Sequence, residues 1–197
     1  MKWFLAAVIL GILCLVLACC RVAGEADDQM AAERSGFQIV SPGYVPPEPT
    51  PEPWVRYPVP LDDELQKYII QQCRDRGIEP SIVFAQISVE SGCKADAVGD
   101  EGNSVGLMQI YRSVHEARME RLGVVNLFDP YQNVAVGIDL MGELAASGKS
   151  MDWVLTAYNW GMGKADEFEA AGYVCNYARE VQERAELLVE GAMLVTE

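Results

Sequence analysis

The stretch PSIVFAQISVESG, residues 80–92, decides the fold. Pro80 suits the first turn of a helix, where its missing N–H group would have no partner, and Gly92 is typical of a helix end. The apolar residues between these two ends recur at helical spacing: Ile82, Val83, Ile87 and Val89. This pattern predicts a buried helix.

Further helices are predicted on both sides of this stretch. Asp62 can cap a helix that carries Leu65, Ile69 and Cys73 and ends at Gly77. Four more segments follow with helical periodicity: residues 113–122, a helix from Pro130, a helix capped by Ser150, and a last helix with Tyr177, Val181, Ala185 and Leu188. Alternating strand patterns are nearly absent. We therefore expect a single all-α domain over residues 61–197.

Composition excludes several classes of function. The 197-residue chain has 15 Lys and Arg against 29 Asp and Glu, a net charge of −14, which argues against a nucleic-acid-binding protein. Half of the residues are hydrophobic, so the chain is not disordered throughout. His115 is the only histidine, which excludes any metal site that needs two imidazoles.

The N-terminal residues 1–24 are predicted to be an export signal. Lys2 precedes an unbroken apolar run from Trp3 to Cys20. Residues 16–19, Val-Leu-Ala-Cys, resemble a bacterial lipobox in which Cys19 would be lipidated. Ordinary cleavage near Ala23 and a retained membrane anchor are the alternatives. All three place the body outside the cytoplasm, in the periplasm or cell envelope, and two of them tether it to a membrane.

Residues 25–60 are predicted to be a Pro-rich linker, because eight of the ten prolines lie between Pro42 and Pro60. Beyond the signal, the cysteines are Cys73, Cys93 and Cys175. An odd number in an exported protein predicts one disulfide and a free thiol, or no disulfide. Cys73 and Cys93 are a plausible pair, and the sequence does not decide between these alternatives.

Glu90 is the most informative residue of the central helix. It shares a helical face with Val83, Gln86 and Ile87, so burial should disfavour its charged form and raise its pKa to about 6–7. The negative end of the helix dipole acts in the same direction. A protonated glutamic acid at a cleft is what glycosidic bond cleavage requires. The alternative is a boundary glutamate paired with an arginine.

Two other segments have the composition of a sugar-binding groove. Glycines at 99, 102 and 106 precede Leu107–Ile110, where Gln109 can orient a sugar and Met108 can pack against it. Residues 157–161, Ala-Tyr-Asn-Trp-Gly, bring a phenol, an amide and an indole together at the end of a predicted helix. Aromatic faces and amides are typical of carbohydrate sites. Each segment alone would also suit core packing or a turn.

Together these segments resemble the soluble lytic transglycosylase domain family, whose goose-lysozyme-like fold cleaves peptidoglycan. The resemblance covers roughly residues 61–190. It is carried in order by Glu90-Ser91, by Gly106-Leu107-Met108-Gln109-Ile110, by Leu127-Phe128-Asp129-Pro130 with Asn133, by Ala157-Tyr158-Asn159 with Gly161, and by Asn176-Tyr177 with Val181. Lys94-Ala95 departs from the Asn-Pro often found after Glu-Ser, in a loop that varies in the family.

The resemblance implies a mechanism with a single carboxylate. Glu90 would first protonate the oxygen linking N-acetylmuramic acid to N-acetylglucosamine, and would then accept the proton of the muramoyl 6-hydroxyl as a 1,6-anhydro ring closes. Tyr177 would orient Glu90. The glycan would be positioned by Ser91, Gln109, Tyr158 and Asn159, and Met108 would line the groove. Peptidoglycan strands are the implied partner, and no cofactor or metal is implied.

Two rival functions remain at this stage. A muramidase would hydrolyse the same bond with water, and Asp96, Asp100 and Glu101 are its candidate second carboxylates. A non-catalytic peptidoglycan-binding component of a secretion or conjugation apparatus would need no acid.

Overall fold

The computed structural model describes residues 53–196. The predicted signal at residues 1–24, including Cys19, and most of the predicted linker lie outside this range. The elements follow one another in this order: β1 (Trp54–Arg56), α1 (Asp63–Arg76), α2 (Pro80–Ser91), β2 (Val98–Gly99), β3 (Ser104–Val105), β4 (Ile110–Tyr111), α3 (Arg112–Leu122), α4 (Pro130–Ala145), α5 (Met151–Trp160), α6 (Met162–Ala170), α7 (Asn176–Glu190) and β5 (Met193–Val195).

The predicted all-α domain is confirmed, and local signals set most helix ends. Asp62 accepts a hydrogen bond from the backbone N–H of Leu65 at the start of α1, and Ser150 accepts one from Trp153 at the start of α5. Gly92 ends α2 in a left-handed conformation that glycine adopts without strain. These caps fix the helix boundaries independently of the core.

Helix α2 lies at the centre of the core. Val83, Phe84 and Ile87 are fully buried, and α2 packs along both α7 and α1. Helix α4 also packs against α1, and its side chains Val134, Ile138 and Met141 are fully buried. Every residue of α2 from Val83 to Ile87 is buried, and the last turn of α2, which carries Glu90, follows directly after this buried stretch.

The folded structure begins before residue 61, within the stretch predicted to be a linker. β1 pairs antiparallel with β5, in the register Trp54 with Val195. The side chains of Trp54 and Tyr57 are buried, and the backbone N–H of Tyr57 donates to the side-chain oxygen of Gln66 at 3.0 Å. The folded domain therefore includes the last residues of the predicted linker, because their aromatic side chains complete the core.

Helix α6 is an element that the sequence patterns did not predict. It follows α5 after Gly161 alone, which turns the chain with a positive φ of 83°. Ala165 is its one buried residue. Its weak apolar stripe explains why periodicity does not reveal it.

The three cysteines of the domain are free thiols. Cys73 and Cys175 are buried, Cys93 is half-buried, and the candidate pair of Cys73 and Cys93 is not bridged. The Cys175 sulfur accepts from the backbone N–H of Ala178 and so caps α7. Among residues 53–196, no helix is long and apolar enough to cross a membrane.

Candidate active site

Glu90 and Tyr177 form the centre of the site. Glu90 lies in the last turn of α2, and Tyr177 is the second residue of α7, the helix that packs along α2. The Tyr177 hydroxyl donates a hydrogen bond to Glu90 Oε1 at 2.5 Å. Within the described residues Glu90 has no ion-pair partner, so the alternative of a boundary glutamate paired with an arginine is not what the structure shows.

Burial is the main cause of a raised pKa at Glu90. Removal from water raises the pKa of the carboxyl from 4.5 to about 7, and the negative charge of Asp100 acts in the same direction. The hydrogen bond from Tyr177 partly opposes this rise because it stabilises the carboxylate. Near neutral pH the group can therefore both donate and accept a proton.

A cleft of about 330 Å³ opens at Glu90. Its other lining residues come from α3, α4, α5 and the segment 98–111: Asp100, Ser104, Gln109, Ile110, Tyr111, His115, Leu140, Tyr158 and Asn159. Most of the exposed lining is polar. A polar cleft of this size with one weakly ionised acid suits a hydroxyl-rich ligand.

The wall formed by residues 98–111 is a small antiparallel sheet in the order β2-β3-β4. Asp100, Glu101 and Gln109 have positive φ angles of 46°, 57° and 46°, which non-glycine residues rarely adopt. Such strain persists only where the surrounding structure holds it, and it is often concentrated at functional sites. The Asp100 carboxylate accepts a hydrogen bond from the Ser104 hydroxyl.

Asn133 of α4 holds this segment in place through hydrogen bonds to its backbone. It is fully buried, accepts from the backbone N–H of Met108 at 2.9 Å, and donates to the carbonyls of Val105 and Leu127 at 2.8 and 2.9 Å. Gly106 allows this contact, because a Cβ atom there would lie 2.6 Å from the Leu127 carbonyl oxygen and closer still to Asn133.

Two of the predicted sugar-binding groups also hold the site together. The Gln109 side chain lines the cleft while its amide donates to the carbonyl of Gly106 at 2.9 Å. The Tyr158 hydroxyl donates to the carbonyl of Met108 at 2.8 Å. Burial, followed by the charge of Glu90, raises the pKa of Tyr158 well above its usual range, so this phenol stays neutral.

The structure brings together most of the predicted site residues. Gln109, Tyr158 and Asn159 line the cleft beside Glu90, and Tyr177 contacts Glu90 directly. Two predicted residues lie elsewhere. The Ser91 hydroxyl donates to the carbonyl of Ile87 within its own helix, at 3.0 Å. Met108 is fully buried against Gly137, so its side chain belongs to the core and does not line the groove, contrary to the prediction.

Several cleft residues were not predicted. His115 of α3 lines the cleft, and burial, together with the positive charge of Arg118, lowers its pKa, so its imidazole is neutral near pH 7. Tyr111, Ile110 and Leu140 also reach the cleft. His115 lies in a mostly exposed helix, and its sequence surroundings do not indicate a functional role. Among the described residues, no group of three or more His, Cys, Asp and Glu side chains could hold a metal ion.

The chain matches the model of a known protein family. The family model described as the transglycosylase SLT domain matches residues 67–174, more than half of the chain. The chain belongs to the transglycosylase SLT domain family. Glu90, Gln109 and Tyr158 lie within the matched range, and Tyr177 lies three residues after its end.

Two solved structures of lytic transglycosylases resemble the chain, and the first of them shows the fold. An inactive mutant of lytic transglycosylase Slt from Pseudomonas aeruginosa matches with a TM-score of 0.56 and 18% identity, over 66% of this chain and 24% of that one. The 70 kDa soluble lytic transglycosylase of Escherichia coli matches with a TM-score of 0.48 and 19% identity, over 62% of this chain and 22% of that one. The SLT domain described here thus corresponds to about a quarter of these larger proteins.

Proposed function

We propose that this domain is a peptidoglycan lytic transglycosylase in which Glu90 acts first as acid and then as base. The observation that carries the proposal is the Glu90 carboxyl itself, half-buried in a polar cleft, hydrogen-bonded by Tyr177, and with a pKa raised to about 7. The membership of the SLT family and the fold shared with lytic transglycosylases support the substrate class.

In the first step, protonated Glu90 donates its proton to the oxygen that links N-acetylmuramic acid to N-acetylglucosamine. The glycosidic C–O bond breaks, and the acetamido group of the substrate stabilises the positive charge at C1. A raised pKa favours this step because the acid is populated near neutral pH.

In the second step, the Glu90 carboxylate accepts the proton of the muramoyl 6-hydroxyl, and that oxygen bonds to C1. The products are a glycan with a 1,6-anhydromuramoyl end and one with a free N-acetylglucosamine hydroxyl. Tyr177 stabilises the carboxylate between the two steps through its hydrogen bond. No water is consumed, so one carboxylate suffices.

The cleft residues have separate roles in this proposal. Asn159 and Gln109 line the cleft and position the glycan, while Tyr158 supports the backbone of Met108 beside it. Ser91 supports the last turn of α2, because its hydroxyl donates to the carbonyl of Ile87 in that helix. Peptidoglycan strands in the cell envelope are the proposed partner, with a tether through Cys19 or the N-terminal apolar segment.

Mass spectrometry of the products from purified peptidoglycan tests the proposal. The full chain should release muropeptides one water lighter than hydrolytic products, and Glu90→Gln should release none. Glu186→Gln is a matched control, because Glu186 is exposed and lies outside the cleft lining. Release by Glu90→Gln equal to that of wild type would refute the catalytic role of Glu90. Binding of glycan without any release by wild type would refute the enzyme and favour a binding component.

A muramidase is the second candidate function, and the position of Asp100 favours it specifically. Of the three candidate second carboxylates, Asp100 lines the cleft beside Glu90, whereas Asp96 and Glu101 are exposed outside the lining. A hydrolytic enzyme would use Asp100 to activate water. Products of full mass that disappear in Asp100→Asn but persist in Asp96→Asn would establish hydrolysis.

A further inference from the structure

The domain contains two fully buried glutamines with opposite environments. Gln66 has its amide satisfied: its oxygen accepts from the N–H of Tyr57 at 3.0 Å, and its nitrogen donates to the carbonyl of Leu61 at 3.1 Å. Gln86 has no hydrogen-bond partner for either amide atom within the described residues. Buried amides are almost always paired, because an unpaired polar group costs free energy. Gln86 therefore requires an explanation.

The position of Gln86 supplies one. It lies on α2, one helical turn before Glu90, so the two side chains share the face that packs against α7. Tyr177, on that facing helix, is bonded to Glu90. Burial raises the pKa of Tyr177, and the negative charge of Glu90 adds to the rise, whereas the nearby Gln86 amide lowers it. The Gln86 amide thus interacts with the phenol from the same helix that carries Glu90, without a hydrogen bond between the two side chains in this structure.

We propose that Gln86 is a positioning residue, whose amide N–H serves the Tyr177 hydroxyl while that hydroxyl donates to Glu90. The inference rests on the proposed function, in which Glu90 passes through its carboxylate form. As the carboxylate attracts the phenol proton, the Tyr177 oxygen becomes a better acceptor for the Gln86 amide. Gln86 thereby stabilises the Glu90 carboxylate indirectly, through Tyr177.

Other groups around Glu90 act separately from Gln86. Tyr158 faces it from α5, Asp100 from the segment 98–111, and His115 from α3, all lining the same cleft. Substitution at position 86 leaves these three groups in place. A change in Glu90 titration that follows such a substitution therefore reports on the contact between Gln86 and Tyr177.

Gln86→Met in the full chain tests the proposal, because methionine has nearly the same shape and cannot donate. The Glu90 carboxyl is titrated by ¹³C NMR, and its midpoint should rise by a few tenths of a unit, since the carboxylate loses indirect support. The alkaline limb of lytic activity should move to higher pH by the same amount. The melting temperature should be unchanged or higher, because the substitution removes a buried amide oxygen that has no hydrogen-bond partner among the described residues.

Gln66→Met is the matched control, and it should show the reverse pattern. It should lower the melting temperature by several degrees, since the N–H of Tyr57 and the carbonyl of Leu61 lose their partner, and it should leave the Glu90 midpoint unchanged. In a Tyr177→Phe background, Gln86→Met should no longer move the midpoint, because the linking hydroxyl is absent.

Two results would overturn the inference: an unchanged Glu90 midpoint in Gln86→Met, or the same rise in the Tyr177→Phe background. The NMR titration needs no substrate, so it remains decisive if the proposed function fails. Lytic activity that is absent, or that is insensitive to Glu90→Gln, refutes the function. Activity that depends on Glu90 but has the same pH limb in Gln86→Met refutes only the role of Gln86.

Discussion

The Glu90 carboxylate should destabilise the folded domain at neutral and alkaline pH. Glu90→Gln replaces the carboxyl with a neutral group of the same shape, which can still accept the hydrogen bond from Tyr177. At pH 8 the variant should therefore be more stable than wild type. At pH 4, where wild-type Glu90 is protonated in the folded domain, the two proteins should unfold at similar denaturant concentrations.

The magnitude follows from the pKa of Glu90. Folding raises this pKa from 4.5 to about 7, and each unit corresponds to about 1.4 kcal/mol. A raised carboxyl pKa means that the folded state binds the proton more tightly. Its contribution to stability is complete below pH 4.5 and is lost as the pH rises through 7. Above that pH the wild-type domain should be less stable than Glu90→Gln by about 3 kcal/mol.

Urea unfolding of both proteins, followed by circular dichroism at pH 4 and pH 8, measures this difference. The effect of pH on all other groups cancels when the variant is compared with wild type at each pH. Glu190→Gln, a substitution at an exposed position, is the control. Two results would show that burial does not raise the pKa of Glu90. The variant could be no more stable than wild type at pH 8, or it could exceed the stability of wild type by the same amount at pH 4.

Three further predictions concern the hydrogen bonds of the site. Tyr177→Phe removes the donor that lowers the Glu90 pKa, so the alkaline limb of a pH–activity profile should move to higher pH by about 1 unit. The maximal rate should fall. A limb that moves to lower pH would contradict this prediction. Asn133→Leu leaves three buried backbone groups unpaired and should cost roughly 3 kcal/mol of unfolding free energy in denaturant titrations. Gly106→Ala should reduce stability more than Gly148→Ala when melting temperatures are compared, because both positions have positive φ but a Cβ atom meets neighbours only at Gly106.

Much of the fold follows from local signals in the sequence. Asp62, Pro80 and Ser150 act within one helical turn, so their effect on the chain does not depend on distant residues. The same holds for Glu90, whose burial follows from the apolar face of its own helix. Its neighbour Tyr177 was placed by resemblance to a family motif, and the structure joins the two across α2 and α7.

Other features depend on contacts between distant segments, which local patterns cannot show. β1 and β5 are only three residues long, and each is a strand because of the other. Met108 lies inside a motif that suggested ligand contact, yet the glycine at 137 on α4 makes room for its side chain in the core. His115 reaches the cleft because of how α3 is placed against α4, and its neighbours along the chain give no indication of this.

The pairing of Trp54 with Val195 has a practical consequence for engineering. Because the first and last strands run side by side in opposite directions, the polypeptide enters and leaves the folded unit at neighbouring points. A host protein could therefore accept the whole unit within a surface loop, joined by short connectors at both ends. For the same reason, joining those ends and opening the chain at another exposed turn should yield a circular permutant that keeps the cleft at Glu90.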